Sequence, residues 1–576
     1  MQILTRELPA HFDQNYLADI SSPLLRQIYA RRGVASPEEV TERLSALLTP
    51  EQLPDIDKAA VRLADAIMGG EKIVVVGDFD ADGATSVALC MCVLAAFGAR
   101  EPDFVVPNRF EFGYGLSPEI VDLVAPRSPN LIVTVDNGVA SIEGVARACE
   151  QGIDVVVTDH HLPGRELPQA VAIVNPNLEG CTFGSPYMAG VGVAYYLLSV
   201  TRTVLRERDW FTSIRPEPNL AQYLDLVALG TVADVVPLDT NNRLLVHHGL
   251  RRMRAGKCLP GIRALIEVAK RPISTLTAQD LGFGVGPRLN AAGRLDDMTL
   301  GIRCLLAPDL HQARKLATAL DELNKTRRAL EGEMVADAQL MLEQAQFSDE
   351  QVGLSVYHPT FHQGVVGIVA GRLREKYHKP AIAFADAGDT APDELKGSAR
   401  SIDGLHIRDV LDYIANQYPG LLSKFGGHAM AAGLSIKRVH FERFQTVFDK
   451  AVQRFTNADM FQARIVTDGV LSPTEMNLEN AQLLSQAGPW GNGFPEPAFE
   501  GEFVLVNQRV VGGDHLKMVL KAETEHGQQV IDAIAFRQSP LPGGTARVRM
   551  VYKLSVNDYR EWPTLQLMVE YLEPLP

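Results

Sequence analysis

The chain has 576 residues, is 46% hydrophobic, and carries 55 Lys and Arg against 70 Asp and Glu, a net charge of −15. That length exceeds what one core supports, so three or four domains are expected; no uncharged apolar run is long enough for a membrane span, and the opening MQILTRELPAHF lacks the regions of a signal peptide. Six cysteines, with no CxxC pair and none after Cys304, argue against a zinc or disulfide framework and for a reducing cytoplasm.

In chain order, residues 1–55 read as helical, with a helix start at Ser36-Pro37-Glu38-Glu39. From 56 to about 270, strands alternate with helices, the pattern of a doubly wound parallel sheet. Three β-branched runs there, IVVV, LIVTV and DVVVT, each end in acids: Asp78-Phe79-Asp80-Ala81-Asp82-Gly83, Asp136-Asn137-Gly138 and Asp159-His160-His161. Such runs read as buried parallel strands. Polar residues at the carboxyl ends of neighbouring strands converge on one crevice. Carboxylates and imidazoles gathered there repel one another unless cations lie between them. Hard oxygen donors with imidazole suit Mn²⁺ or Mg²⁺, and two such ions about 4 Å apart make a phosphodiester-cleaving site. A lone Asp after a strand is usually a cap or turn residue, and the DxDxD run lacks the closing Glu of an EF-hand loop. Three ordered clusters are harder to dismiss.

The net negative charge first argues against a nucleic-acid partner, but carboxylates that hold cations account for part of it. Residues 251–271 carry seven Lys and Arg against one Glu, either solvated helix surface or a phosphate-contacting flank. Residues 308–348 read as one long connecting helix, its Leu/Ala stripe for packing, and 349–457 as a second α/β domain with a glycine-rich helix start at Gly364–Gly371. From 458, five short strands with Gly/Pro turns predict an OB-like barrel. No internal repeat is evident. The resulting division is 1–55, 56–307, 308–348, 349–457 and 458–576.

The order DxDxDG, VDNG, DHH resembles the DHH phosphoesterase superfamily. Leu224 to Leu238 resembles its fourth motif. Gly286-Pro287-Arg288-Leu289-Asn290-Ala291-Ala292-Gly293-Arg294, Gly397-Ser398-Ala399-Arg400-Ser401 and Phe425-Gly426-Gly427-His428 resemble the branch of bacterial single-strand-specific 5′→3′ DNA exonucleases, with a DHHA1-type second domain. The likeness runs from about residue 20 to the C-terminus. It implies a metal-dependent exodeoxyribonuclease of DNA repair and recombination that releases 5′-phosphomononucleotides. It also implies two Mn²⁺ or Mg²⁺ ions, single-stranded DNA as substrate, and a single-strand-binding protein and a helicase as partners. A monomer is expected.

By that resemblance, one metal is held by Asp80 and Asp136, and the second by Asp82, Asp136, His160 and Asp234. His161 faces the substrate phosphate, and Asp159 orients the loop. Other branches place a histidine four residues before the first Asp of DxD, where this chain has Val76; Asp78, or water and substrate, then completes the first shell. Asp234 is favoured over Asp225 because it closes the apolar run. Gly426, Gly427, His428, Ser398 and Arg400 suit phosphate grip. Arg288, Asn290 and Arg294 are expected to contact the DNA backbone between the lobes. Arg109 and Tyr114 are placed for 5′-end recognition, with turn packing as the alternative for Tyr114. A narrow channel between two lobes would admit a single strand and exclude duplex. In the barrel, Lys517, Lys521, Lys553, Tyr552, Tyr559 and Trp562 are the candidates for a stacking platform, with a purely structural barrel as the alternative. A small-substrate phosphatase leaves the barrel without a purpose, and a catalytically dead scaffold conflicts with the retained acids.

Overall fold

A computed structural model describes residues 1–13, 15–108, 115–344, 351–388, 391–524, 527–557 and 562–575. Arg109, Tyr114 and Tyr559 lie outside the described residues. The chain divides into two compact units, one made of 3–290, 297–318 and 466–576, the other of 1–2, 291–296 and 319–465.

The N-terminal segment holds strand β1 (Gln2–Thr5) and one α-helix, α1 (Pro23–Ala30); Pro37–Val40, Leu44–Ala46 and Pro50–Gln52 are short 3₁₀ turns. The helical expectation for 1–55 is corrected accordingly. Prolines at 9, 23, 37, 50 and 54 break the segment into pieces too short to propagate an α-helix. Ser36 does form its capping box with Glu39, but on a 3₁₀ turn.

The first unit then builds a five-stranded parallel sheet. Its elements are α2 (Ile56–Met68), β2 (Ile73–Val76), α3 (Ala81–Phe97), β3 (Asp103–Val105), α4 (Pro118–Val124), β4 (Leu131–Val135), α5 (Ile142–Glu150), β5 (Asp154–Thr158) and β6 (Ala172–Val174), with strand order β3-β2-β4-β5-β6. Strands β2 and β4 are buried throughout, as their β-branched composition requires. The alternation expected to about residue 270 stops at Val174. From there to Gln344 the regular elements are helical: α6 (Gly190–Glu207), α7 (Leu224–Ala233), α8 (Thr240–Arg254), α9 (Pro260–Val268), a π turn at Asp280–Val285, α10 (Gly286–Leu295), α11 (Thr299–Leu305) and α12 (Leu310–Gln344). Helix α7 is buried from Leu224 to Thr231, so its largely apolar sequence lacks the stripe that marks a surface helix.

The second unit has β7 (Leu354–Tyr357), α13 (Val366–Tyr377), β8 (Ala381–Asp386), β9 (Glu394–Arg400), α14 (Ile407–Gln417), β10 (Lys424–Gly427), β11 (Ala431–Lys437) and α15 (Phe441–Phe455), and β12 (Arg464–Thr467) leads from it back into the first unit. Its sheet runs β10-β11-β9-β8-β7, parallel only between β7 and β8. Phe384, Phe444 and Phe448 fill its core.

The chain returns to the first unit with α16 (Leu478–Gln486) and a closed barrel of β13 (Phe499–Val511), β14 (His515–Thr524), β15 (Gly527–Ala535), β16 (Arg547–Asn557) and β17 (Thr564–Leu575). The lead-in to this barrel is fastened to the N-terminal segment. Arg32 makes two hydrogen bonds to Asp468, at 2.7 and 3.0 Å, with both side chains buried. Its guanidinium also lies 5.2 Å from the Trp490 ring centre. Tyr29 donates to the Ala487 carbonyl and packs on Phe494. Leu238 N–H donates to the Asn492 carbonyl at 2.7 Å. The barrel is therefore not independent of the domain that precedes it.

Three of the six expected stacking residues of the barrel have other partners. Tyr552 is fully buried with its hydroxyl on the Met476 sulfur. Lys553 is held between Glu496 and Glu570, and Lys517 pairs with Asp532. Trp562 stands exposed.

Candidate metal centre

The three strand-end clusters meet, and each is positioned by a different local device. Asp80 is the N-cap of α3, its Oδ1 accepting from Asp82 N at 2.9 Å and Gly83 N at 3.0 Å. The capping and metal-binding readings of this residue are compatible, because the cap engages only one carboxylate oxygen. Gly83 is obligatory: a Cβ there would overlap the Asp78 carbonyl. Asp136 follows β4 in the left-handed region, φ 62°, which turns its side chain back over the sheet edge. Asn137 fixes that turn, donating to Val76 O at 3.1 Å and Val135 O at 2.9 Å.

Asp159 orients the histidines. It accepts from Val139 N at 2.9 Å, His160 N at 2.7 Å, His161 N at 3.1 Å and His161 Nδ1 at 2.7 Å. Burial alone would raise its pKa, but the bonds from His161 and the backbone hold it below the usual carboxylate range. Against the opposing effect of burial, Asp159 raises the pKa of His161. His160 Nε2 then lies 3.0 Å from Asp136 Oδ1, 3.6 Å from Asp234 Oδ2 and 3.9 Å from Asp82 Oδ2.

Helix α7 delivers Asp234 as its C-terminal cap residue, and Asp225 lies near the other end, nine residues earlier and about 14 Å away. Asp225 is buried, accepts from Leu226 N at 3.0 Å and Leu259 N at 2.7 Å, and is pushed up to about 6 by burial. It ties α7 to the start of α9.

Three groups of donor atoms lie within 4.8 Å of one another: Asp78, Asp80 and Asp136; Asp82, His160 and Asp234; and Asp136, His160 and His161. Asp78 thus joins the first group beside Asp80 and Asp136. Asp82 is pushed up to about 7, by burial first and then by Asp80. Asp136 and Asp234 are raised well above the usual range, by burial first and then by the surrounding aspartates. Carboxylates raised in this way repel one another in a dry site, and divalent cations would remove that repulsion. The donor set, oxygen with one or two imidazoles and no thiolate, fits Mn²⁺ or Mg²⁺.

Several positioning groups carry no motif in the sequence. Asp82 Oδ2 accepts from Gly190 N at 2.6 Å and its Oδ1 from Val191 N at 3.0 Å, the first backbone donors of α6. A Cβ at Gly190 would lie 2.6 Å from the Asp136 Cβ, so only glycine admits this approach. Asn175 donates to His161 O at 2.9 Å and Asn177 to His160 O at 2.6 Å.

The expected substrate residues divide. In the first unit, Asn290 Oδ1 accepts from Ala81 N at 2.8 Å and so holds the DxDxDG loop. Arg288 is buried and donates to Gly284 O and Val268 O, which closes the π turn. In the second unit, Arg294 donates to Gly364 O at 3.1 Å, bracing the entry to α13. Ser398 and Arg400 sit together on β9, 3.0 Å apart. A Cβ on Gly367 would lie 2.9 Å from Arg400 Nη2 and 3.0 Å from Ser398 Oγ. Burial, then Arg374, lowers the Arg400 pKa, as expected of a guanidinium short of counter-charge. Ala431 lies opposite Arg400 in the sheet, and His428 N–H donates to the Ala431 carbonyl. Gly427, at φ 143°, makes the turn that brings Gly426, Gly427 and His428 to this end.

Known proteins resemble this chain along its whole length. Residues 72–231 match the DHH family N-terminal domain, 349–455 the DHHA1 domain and 467–571 the RecJ OB domain. The chain is 51% identical over 578 residues to the single-stranded-DNA-specific exonuclease RecJ of Salmonella typhimurium, covering 99% of this chain and 98% of that one. It superposes on the crystal structure of Thermus thermophilus RecJ in complex with Mn²⁺ at a TM-score of 0.82 and 28% identity, covering 100% of this chain and 80% of that one. The Mg²⁺ complex of the same protein gives 0.77 and 27%, covering 100% and 78%.

Proposed function

The chain belongs to the RecJ family of DHH phosphoesterases, and on that premise we propose that it is a single-stranded-DNA-specific exonuclease. It degrades strands from the 5′ end to 5′-phosphomononucleotides in DNA repair and recombination. The observation that carries this reading is the pair of donor groups joined at Asp136: Asp78, Asp80 and Asp136 on one side, and Asp82, His160 and Asp234 with Asp136 3.0 Å from His160 on the other.

Asp80, Asp136 and Asp78 would hold one cation, and Asp82, Asp136, His160 and Asp234 would hold the second. Two divalent cations there would supply positive charge against the phosphate oxygens and bring the pKa of water near neutrality. Asp159 keeps His161 charged to higher pH than a free imidazole, so its ring attracts a phosphate oxygen. Because Asp159 already occupies Nδ1, the proton that His161 offers to substrate is on Nε2. Asn175 and Asn177 fix the backbone of both histidines. Ser398, Arg400 and His428 grip a phosphate, and Gly426 and Gly427 let backbone approach it. No protein nucleophile is needed.

No helix among the described residues is long and apolar enough to cross a membrane. We place the protein in the cytoplasm as a monomer, working with a single-strand-binding protein and a helicase. Incubation with 5′- and 3′-labelled single strands and duplex in Mn²⁺ and in Mg²⁺ tests the reading. Early release of the 5′ label as mononucleotide from single strands supports it; early loss of the 3′ label, or equal attack on duplex, rejects it.

A further inference from the structure

Phe283 is 74% exposed and lies between two glycines inside the π turn Asp280–Val285. A single exposed aromatic needs no explanation by itself. Its frame, its position and its neighbour set this one apart.

The turn that carries it is rigid. Wide π turns are rare and concentrate at functional sites. Here Leu281 and Val285 are fully buried. Thr277 N and Oγ1 both donate to Asp280 Oδ2 at 2.9 Å, Arg271 Nε lies 3.4 Å from Asp280, and Arg288 donates to Gly284 O. The ring projects from a fixed frame.

The turn also lies against the acid cluster. A Cβ on Gly282 would be 3.4 Å from Val232, and one on Gly286 would be 3.1 Å from the Ala233 Cβ; the next residue is the metal-site Asp234. Beyond the turn, α10 carries Asn290 to the Ala81 N–H of the DxDxDG loop. Phe283 thus sits between two segments that each touch the site.

Val235, directly after Asp234, repeats the theme. It is 64% exposed at φ 62°, a conformation that is strained for a β-branched residue. Asn492 Nδ2 pins its carbonyl at 2.7 Å. An apolar side chain is held out into solvent beside a metal-binding carboxylate.

We propose that Phe283 is a base-stacking platform: it receives the face of an unpaired nucleobase whose phosphate is near the acid cluster, with Val235 as an apolar edge. Every base has a π-face, so such a contact tolerates any sequence. A base inside duplex has both faces covered by its neighbours, so the platform favours single strands without help from the barrel. This inference rests on the reading of the acid cluster as a DNA phosphodiester site.

The test is the KM of the full chain on single strands carrying one abasic residue at successive positions from the 5′ end. Wild type is compared with Phe283→Ala, Phe283→Leu and Phe283→Trp. Wild type is expected to lose roughly tenfold to a hundredfold when one or two particular positions are abasic. Phe283→Ala shows a similar loss on intact DNA and no further loss at those positions; Phe283→Leu behaves likewise and Phe283→Trp restores the discrimination. 2-Aminopurine at the sensitive position is quenched by wild type and not by Phe283→Ala. Multiplying effects of variant and abasic site, equal loss at every position, or an unchanged KM in Phe283→Ala would overturn the platform. Failure of wild type to degrade intact single strands would instead overturn the nuclease reading beneath it.

Discussion

Replacing Asp136 by Asn removes one negative charge from the centre of the acid cluster while keeping shape, and Asn tolerates the left-handed backbone there. Asp78, Asp80 and Asp136 present oxygens within 4.8 Å of one another. At an effective dielectric constant near 20, two such charges repel by about 3–4 kcal/mol. Without cations the protein meets that repulsion by holding protons, and Asp136 takes up its proton well above the usual range. Ionising it among its neighbours at pH 7 works against that repulsion, so relief of one such pair is worth about 3–4 kcal/mol. Because the folded pKa is raised, stability is full below about pH 4 and falls as pH rises toward 7 and beyond. Asp136→Asn in EDTA is therefore more stable than wild type at pH 7 by roughly 6–8 °C in Tm, taking about 2 °C per kcal/mol, and matches it at pH 4. Added Mn²⁺ raises the wild-type Tm at pH 7 and does little for the variant. Thermal melts at pH 4 and 7, with EDTA and with Mn²⁺, give all the comparisons. A variant less stable than wild type in EDTA at pH 7, or equally stabilised at both pH values, is incompatible with mutual repulsion among these carboxylates.

Asp225→Ala strands the Leu259 N–H and lowers stability by about 1–3 kcal/mol, while Mn²⁺ binding measured by calorimetry is unchanged; loss of a metal would put Asp225 in the cluster. Arg32→Ala leaves the buried Asp468 with only the more distant Arg6, at 3.7 Å, as counter-charge and costs about 3 kcal/mol, read as a fall in denaturant midpoint. Arg400→Ala weakens single-strand binding or slows turnover without altering Mn²⁺ occupancy; metal loss there would show the role is misassigned. Deleting 460–576 removes the partners of Arg32, Tyr29 and Leu238 and lowers the Tm of the remaining chain, whereas deletion from 499 spares those contacts; equal Tm for both truncations would contradict the fastening seen here.

The acid cluster was legible because strand-end position and residue type coincide: a β-branched run followed by Asp is visible in one dimension, and topology brings such ends together. Its supports were not. Asp82 is held by backbone N–H groups more than a hundred residues away, and Asn175 and Asn177 act on main-chain carbonyls that any residue could supply. Helix α7 hid the end of the strand-helix alternation because a helix buried on nearly every side shows no 3.6-residue period. The barrel's strands were legible from alternation and turns, but not which face was inside. Tyr552 points inward to Met476, and Lys553, its neighbour, outward to two glutamates.

If Asp136 belongs to two cation sites at once, the two ions are bridged by one carboxylate and couple magnetically. Electron paramagnetic resonance of the protein titrated with Mn²⁺ reads this coupling. Wild type should bind two Mn²⁺ per chain with a coupled spectrum, and Asp136→Ala should lose the coupling together with nuclease activity. A single ion in wild type, or two uncoupled ions that survive Asp136→Ala, would contradict a shared Asp136.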